Sequence, residues 1–124
     1  MIFVDTNILI DFWKNPTSEK QLIFEQEEIA TCGVIFTEIL RGSKNPKESE
    51  KLKTALECFE YLAFEKQDWL EVACLFAKLK KSGLTIPFQD GIIAYLAIKN
   101  DCQLWTLDNH FKLIKTVIPV LKLF

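Results

Sequence analysis

Apolar and polar positions fall along the chain in short blocks whose period switches between that of a strand and that of a helix. Ile2-Phe3-Val4 is a continuous β-prone run ending at Asp5-Thr6-Asn7, three residues that cap helices and form turns. Ile8 to Trp13 then predicts a helix closed before Asn15-Pro16, and Glu19 to Gln26 predicts a second. Ile29 to Cys32 reads as a short strand punctuated by Gly33, and Val34 to Arg41 as a helix that stops at Gly42. Leu52, Ala55, Leu56 and Phe59 share one face of a helix over Lys47 to Phe59. Tyr61 to Phe64 predicts a strand. Asp68 to Lys81 is the clearest amphipathic helix, with Trp69, Val72, Ala73 and Phe76 in line, Lys78, Lys80 and Lys81 near its end, and Gly83 as its stop. Pro87 opens a helix from Phe88 to Lys99, apolar nearly all round after Asp90 and therefore buried. Leu104-Trp105-Thr106 is a strand, Asp108-Asn109 a turn, Phe111 to Lys115 a helical turn, and Val117 to Leu123 a last strand interrupted by Pro119. Strands alternating with helices imply an α/β fold, a mainly parallel sheet covered on both faces. In such a sheet, ligands sit at the carboxyl ends of the strands.

Composition narrows this picture. A chain of 124 residues without repeats or a linker is expected to be one domain, and 49% hydrophobic side chains are too many for a disordered tail. The longest strictly apolar run, Gly91 to Ile98, falls far short of the ~18 residues a membrane helix needs. No basic start precedes an apolar leader, so a soluble, cytoplasmic protein is expected. Cys32, Cys58, Cys74 and Cys102 are widely spaced and His110 is the only histidine, which argues against a Cys/His zinc site and most nucleophile–histidine hydrolases. Reduced, mostly buried thiols are expected. Four glycines form neither a P-loop nor a dinucleotide fingerprint. The chemistry left to the chain is that of its carboxylates.

Four acids stand against their local pattern. Asp5 ends the first strand, Glu38 interrupts the apolar run from Val34 to Leu40, Asp90 opens the buried helix, and Asp108 follows the strand ending at Thr106. Each has a structural reading: helix cap, polar helix face, complement to a helix dipole, turn former. Taken together, two lie just past strand ends and a third starts a helix that should pack beside them. Four carboxylates in one pocket raise one another's pKa unless a cation joins them, and no Lys or Arg lies within three residues of Asp5 or Asp90. Oxygen-only ligation favours Mg²⁺ or Mn²⁺, and two such ions ~4 Å apart can activate a water and steady the leaving oxygen of a phosphodiester.

Phe3-Val4-Asp5-Thr6-Asn7, Phe36-Thr37-Glu38-Ile39-Leu40-Arg41-Gly42, Pro87-Phe88-Gln89-Asp90 with Ile92-Ile93-Ala94, and Leu104-Trp105-Thr106-Leu107-Asp108 resemble, in order and separation, the motifs of the PIN-domain nucleases. Within them the chain is most similar to the VapC-type toxins of bacterial toxin–antitoxin pairs, over essentially its whole length. The resemblance implies a PIN-like three-layer α/β/α sandwich and a Mg²⁺- or Mn²⁺-dependent endoribonuclease, with one or two ions, silenced by a cognate antitoxin. Asp5 and Asp90 match the central metal ligands, Glu38 the third acid and Asp108 the fourth; Thr6, Asn7 and Thr106 match supporting polar residues. A homodimer and an antitoxin segment laid in a groove are also implied. The chain departs from many relatives at His110-Phe111, where a second acid is common, so the second metal position rests on fewer carboxylates. His110 there reads as a phosphate contact or, by expectation, as a solvent-facing turn histidine.

A net charge of −2 looks wrong for an RNA enzyme, but the four proposed ligands are themselves −4, and two divalent ions would bring the sum to +2. Arg41, Lys44 and Lys47, followed by Lys51 and Lys53, directly succeed the helix carrying Glu38, as a phosphate-steering surface or as a solvated helix face. Phe12, Trp13, Phe24 and the Ile35/Ile39 side of the third helix are candidate partner surfaces. A phosphoacceptor receiver domain is disfavoured, because no aspartate lies between Asp11 and Asp68. A housekeeping RNA-processing nuclease and a non-catalytic PIN-like binding module are the alternatives.

Overall fold

The computed structural model describes residues 1–124. Its elements run β1 (Ile2–Val4), α1 (Thr6–Lys14), α2 (Ser18–Gln26), β2 (Ile29–Cys32), α3 (Gly33–Leu40), α4 (Pro46–Leu56), β3 (Glu60–Leu62), α5 (Lys66–Lys81), α6 (Phe88–Lys99), β4 (Gln103–Trp105), α7 (His110–Val117) and β5 (Lys122–Leu123). The strands form one sheet in the order β3-β2-β1-β4-β5, every neighbouring pair parallel. The chain steps outward from β1 to β3, crosses back to β4 and ends at β5. Parallel crossovers are right-handed, so this reversal places α1 to α4 on one face and α5 to α7 on the other. The packing agrees: α3 meets α1 and α4, while α5, α6 and α7 meet one another. The result is the α/β/α sandwich expected, with a sheet that is wholly parallel.

Local chemistry explains the element ends. Asp5, Thr17 and Asn45 cap α1, α2 and α4 with side chains that accept from backbone N–H groups. Glu65 and Asp68 form a capping box at the start of α5, and Gly83, at φ 80°, closes that helix. β1 is apolar throughout because it is the middle strand, covered on both faces. In α6 every residue from Asp90 to Ala97 is buried. Gly91 lets the Phe76 ring of α5 pack directly on its backbone: a Cβ there would stand 2.1 Å from the ring and would displace it.

Tertiary packing corrects several expectations. The last strand is confined to Lys122–Leu123: α7 runs on to Val117 to bury Phe111 and Ile114, and Pro119-Val120 form a turn. The buried face of α5 is Asp68, Val72 and Leu79, whereas Trp69 is 50% exposed and Ala73 is exposed. Ile35 and Ile39 belong to the core, not to a partner surface. Phe12, Trp13 and Phe24 are half-buried, and Phe12 and Phe24 stack on each other at 4.2 Å between ring centroids. Of the four free cysteines only Cys32 and Cys102 are buried. No helix is long and apolar enough to cross a membrane.

Candidate active site

β1 and β4 are hydrogen-bonded neighbours, yet the connections leaving them turn to opposite faces of the sheet. A crevice therefore opens at their carboxyl ends, where an α/β sheet binds ligands. Asp5 is the first residue past β1, and its backbone N–H donates to Trp105 O at 2.9 Å. Its carboxylate accepts from Thr6 N (2.8 Å), Thr106 Oγ1 (2.7 Å) and Asn7 Nδ2 (3.1 Å). Asp5 is thus both the helix cap and a residue of the crevice. Asn7 also receives Leu107 N–H on Oδ1 at 3.1 Å, and Thr106 Oγ1 receives Asp108 N–H at 3.0 Å, so the loop after β4 is sewn to the start of α1.

The other acids arrive from different elements. Glu38, on the second turn of α3, accepts from Thr6 Oγ1 at 3.0 Å. Asp90 lies in the first turn of α6 and Asp108 in the loop before α7. Asp5, Glu38, Asp90 and Asp108 line one cavity of about 350 Å³ together with Thr6, Asn7, Gln89 and His110. Thr106 stands behind it, bracing Asp5. The four separately numbered acids of the sequence are therefore brought together, and so are Thr6 and Asn7.

The basic residues divide. Arg41 lines an adjoining cavity of about 540 Å³ that shares Glu38 and Gln89 with the acidic one. Lys44 and Lys47 line neither; they are exposed beyond the end of α3. His110 departs from expectation. Its Nδ1 lies 2.9 Å from Asp90 Oδ2 and 3.2 Å from Asp108 Oδ1, so it faces the carboxylates. The sequence signal was its position two residues after Asp108; the missing fact was which way the first residue of α7 turns. Gln89, which no sequence pattern singles out, lines the cavity beside Asp90.

The electrostatics follow from burial and crowding. Burial pushes the Asp5 carboxyl above its ordinary range; hydrogen bonds from Thr106 and Thr6 pull it down, and Asp108 repels it. Asp90 is raised chiefly by burial, against the hydrogen bond from His110, with Asp108 and Asp5 adding repulsion. The His110 imidazole is raised by its bond to Asp90 and by the Asp108 charge. No Lys or Arg lines this cavity. Ligand atoms of Asp90, Asp108 and His110 all lie within 4.8 Å of one another, so the cluster can hold a metal ion. The donor set, four carboxylates and one imidazole with no Lys or Arg among them, fits a divalent ion.

Comparison with known proteins places these features. Residues 2–116 match the family model described as PIN domain. Ribonuclease VapC1 of Methanocaldococcus jannaschii is 32% identical over 115 residues, which are 92% of this chain and 81% of that protein. Among solved structures, VapBC2 from Rickettsia felis, bound to a DNA fragment from its promoter, is similar over 100% of this chain and 98% of its own, with 26% identity and a TM-score of 0.79. VapBC-1 from nontypeable Haemophilus influenzae is similar over 100% and 97%, with 25% identity and a TM-score of 0.81.

Proposed function

Since the chain belongs to the PIN-domain family, we propose that it is an endoribonuclease, the toxin of a toxin–antitoxin pair, folded as a single PIN domain over residues 1–124. The observation that carries this is the convergence of Asp5, Glu38, Asp90 and Asp108 in one crevice at the switch point of the sheet. Similarity to Ribonuclease VapC1 supports RNA as substrate, and similarity to VapBC assemblies supports an antitoxin partner. A cytoplasmic homodimer completes the proposal.

Asp5, Asp90 and Asp108 would hold one or two divalent cations, Mg²⁺ or Mn²⁺, with Glu38 as a further carboxylate. When bound, such an ion neutralises charge on the phosphate and lowers the pKa of a water. The chain's own part is to hold the carboxylates ready. Thr106, Asn7 and the Thr6 N–H fix Asp5, and the Thr6 hydroxyl fixes Glu38 at the cavity wall. Arg41, at the edge of the adjoining cavity, is placed to steer the RNA backbone by charge. In the displacement, water oxygen bonds to phosphorus, the P–O3′ bond breaks and the 3′ oxygen takes up a proton. The products carry a 5′-phosphate and a 3′-hydroxyl.

The test is incubation of partner-free protein with total RNA in Mg²⁺, Mn²⁺ or EDTA, beside Asp90→Asn. Cleavage is expected only with metal, with a loss of at least about a hundredfold in the variant. Fragments ending in a 2′,3′-cyclic phosphate would overturn the mechanism, because the ribose hydroxyl would then be the nucleophile.

A further inference from the structure

Resting on that metal-dependent reading, we propose that His110 is itself a metal ligand. It gives Nδ1 to the cation it shares with Asp90 and Asp108, and this nitrogen donor biases the site toward transition-metal ions such as Mn²⁺ and Co²⁺ over Mg²⁺.

Two carboxylate oxygens converge on one nitrogen. Nδ1 stands 2.9 Å from Asp90 Oδ2 and 3.2 Å from Asp108 Oδ1. The ring nitrogen bonds the Asp90 oxygen, while the Asp108 oxygen is held by the backbone of His110, so both oxygens stand on the Nδ1 side of the ring. Adjacent ligands on an octahedral ion with bonds of ~2.1 Å are separated by ~3 Å, which is the spacing that both carboxylate oxygens show from Nδ1. The backbone holds them in this relation. The His110 N–H donates to Asp108 Oδ1 at 2.9 Å, so the first residue of α7 orients the carboxylate and the ring together. The opposite nitrogen, Nε2, makes no hydrogen bond to the protein, and the side chain is 47% exposed. The ring is therefore held through Nδ1, on the side of the acids. Mg²⁺ gains little from imidazole, whereas the gain rises from Mn²⁺ to Co²⁺ in the order of transition-metal affinity.

Calorimetric titration of the full chain with Mg²⁺, Mn²⁺ and Co²⁺ tests this, together with pulsed EPR of the Mn²⁺ form. Coupling of Mn²⁺ to an imidazole ¹⁴N is expected in the native chain and absent in His110→Ala. That variant should lose at least about tenfold in Co²⁺ affinity, less for Mn²⁺, and stay within about twofold for Mg²⁺. His110→Asp, which exchanges the nitrogen for oxygen, should move the preference back toward Mg²⁺ and serves if the alanine variant does not fold. Equal losses for all three ions, or Mn²⁺ bound without ¹⁴N coupling, would overturn the proposal. RNA cleavage is read separately. An unchanged ion preference in a variant-sensitive nuclease removes the ligand role and leaves the nuclease. Imidazole-coupled Mn²⁺ in a protein that cuts no RNA does the reverse.

Discussion

Single side chains in this protein are set by whether their polar atoms find partners. Asp5 is buried and accepts three hydrogen bonds, so its place in the core is compatible with a charge. Thr31 is the counter-example: it is fully buried in β2, and its hydroxyl is the one buried side-chain polar atom without a partner. An unmade hydrogen bond of this kind costs about 1–3 kcal/mol. Valine has the same shape, a higher strand propensity and nothing to leave unsatisfied. Thr31→Val is therefore expected to raise stability by about 1 kcal/mol, read as a higher urea midpoint at unchanged slope. A lower midpoint would mean that the hydroxyl has a partner in solution. His110 shows the limit of reading residues singly. Its type and its neighbour Asp108 were plain in the sequence, but the 2.9 Å approach to Asp90 depends on an element twenty residues away.

Elements are joined by polar ties as well as by apolar contact. Asp68, buried at the start of α5, accepts from Lys99 Nζ (2.7 Å) and the Tyr95 hydroxyl (2.6 Å) on α6, and from its own Glu65 N–H (2.6 Å). The Tyr95 hydroxyl also contacts the Glu71 carboxylate. These bonds, that from Lys99 foremost, lower the Asp68 pKa from 3.8 to about 2, while burial and both acids raise that of Tyr95. A carboxylate depressed in the folded state stabilises above its unfolded pKa and loses that effect as pH falls through the folded one. The stability advantage of the native chain over Asp68→Asn is thus expected to be full above about pH 4 and to shrink toward pH 2. Urea unfolding of both proteins across that range measures it; an advantage constant with pH would show that Asp68 does not titrate there. From the sequence, Asp68 was only the first residue of an amphipathic helix. Helical periodicity correctly put Val72 in the core and Phe76 against it, but Trp69 and Ala73 are exposed, and the paired Asp68 carboxylate, which hydropathy alone leaves outside, is buried.

At the scale of the whole molecule, a chain of net charge −2 gathers four acids in one cavity that no Lys or Arg lines. Any cation bound there in the folded state and not in the unfolded chain must stabilise the fold, by about 2.7 kcal/mol at a hundredfold excess over Kd. Mn²⁺ is expected to raise the melting temperature, EDTA to reverse the rise, and Asp90→Asn to abolish most of it; a melting temperature indifferent to Mn²⁺ would contradict a shared site. The amino-acid sequence by itself determined the order of strands and helices, the buried α6 and the identity of the four acids, since these depend on local periodicity, capping and residue type. It could not rank which apolar side chains remain outside, and Tyr61, Trp69, Leu70 and Phe88 are among the large exposed ones. Only the tertiary structure decided that Asp5 and Asp108, far apart in the chain, share a cavity, and that His110 turns into it. Those relations come from the return of the chain across the sheet, which seats β4 against β1 and is set by long-range strand pairing and crossover handedness, neither of which leaves a periodic trace in the residues themselves.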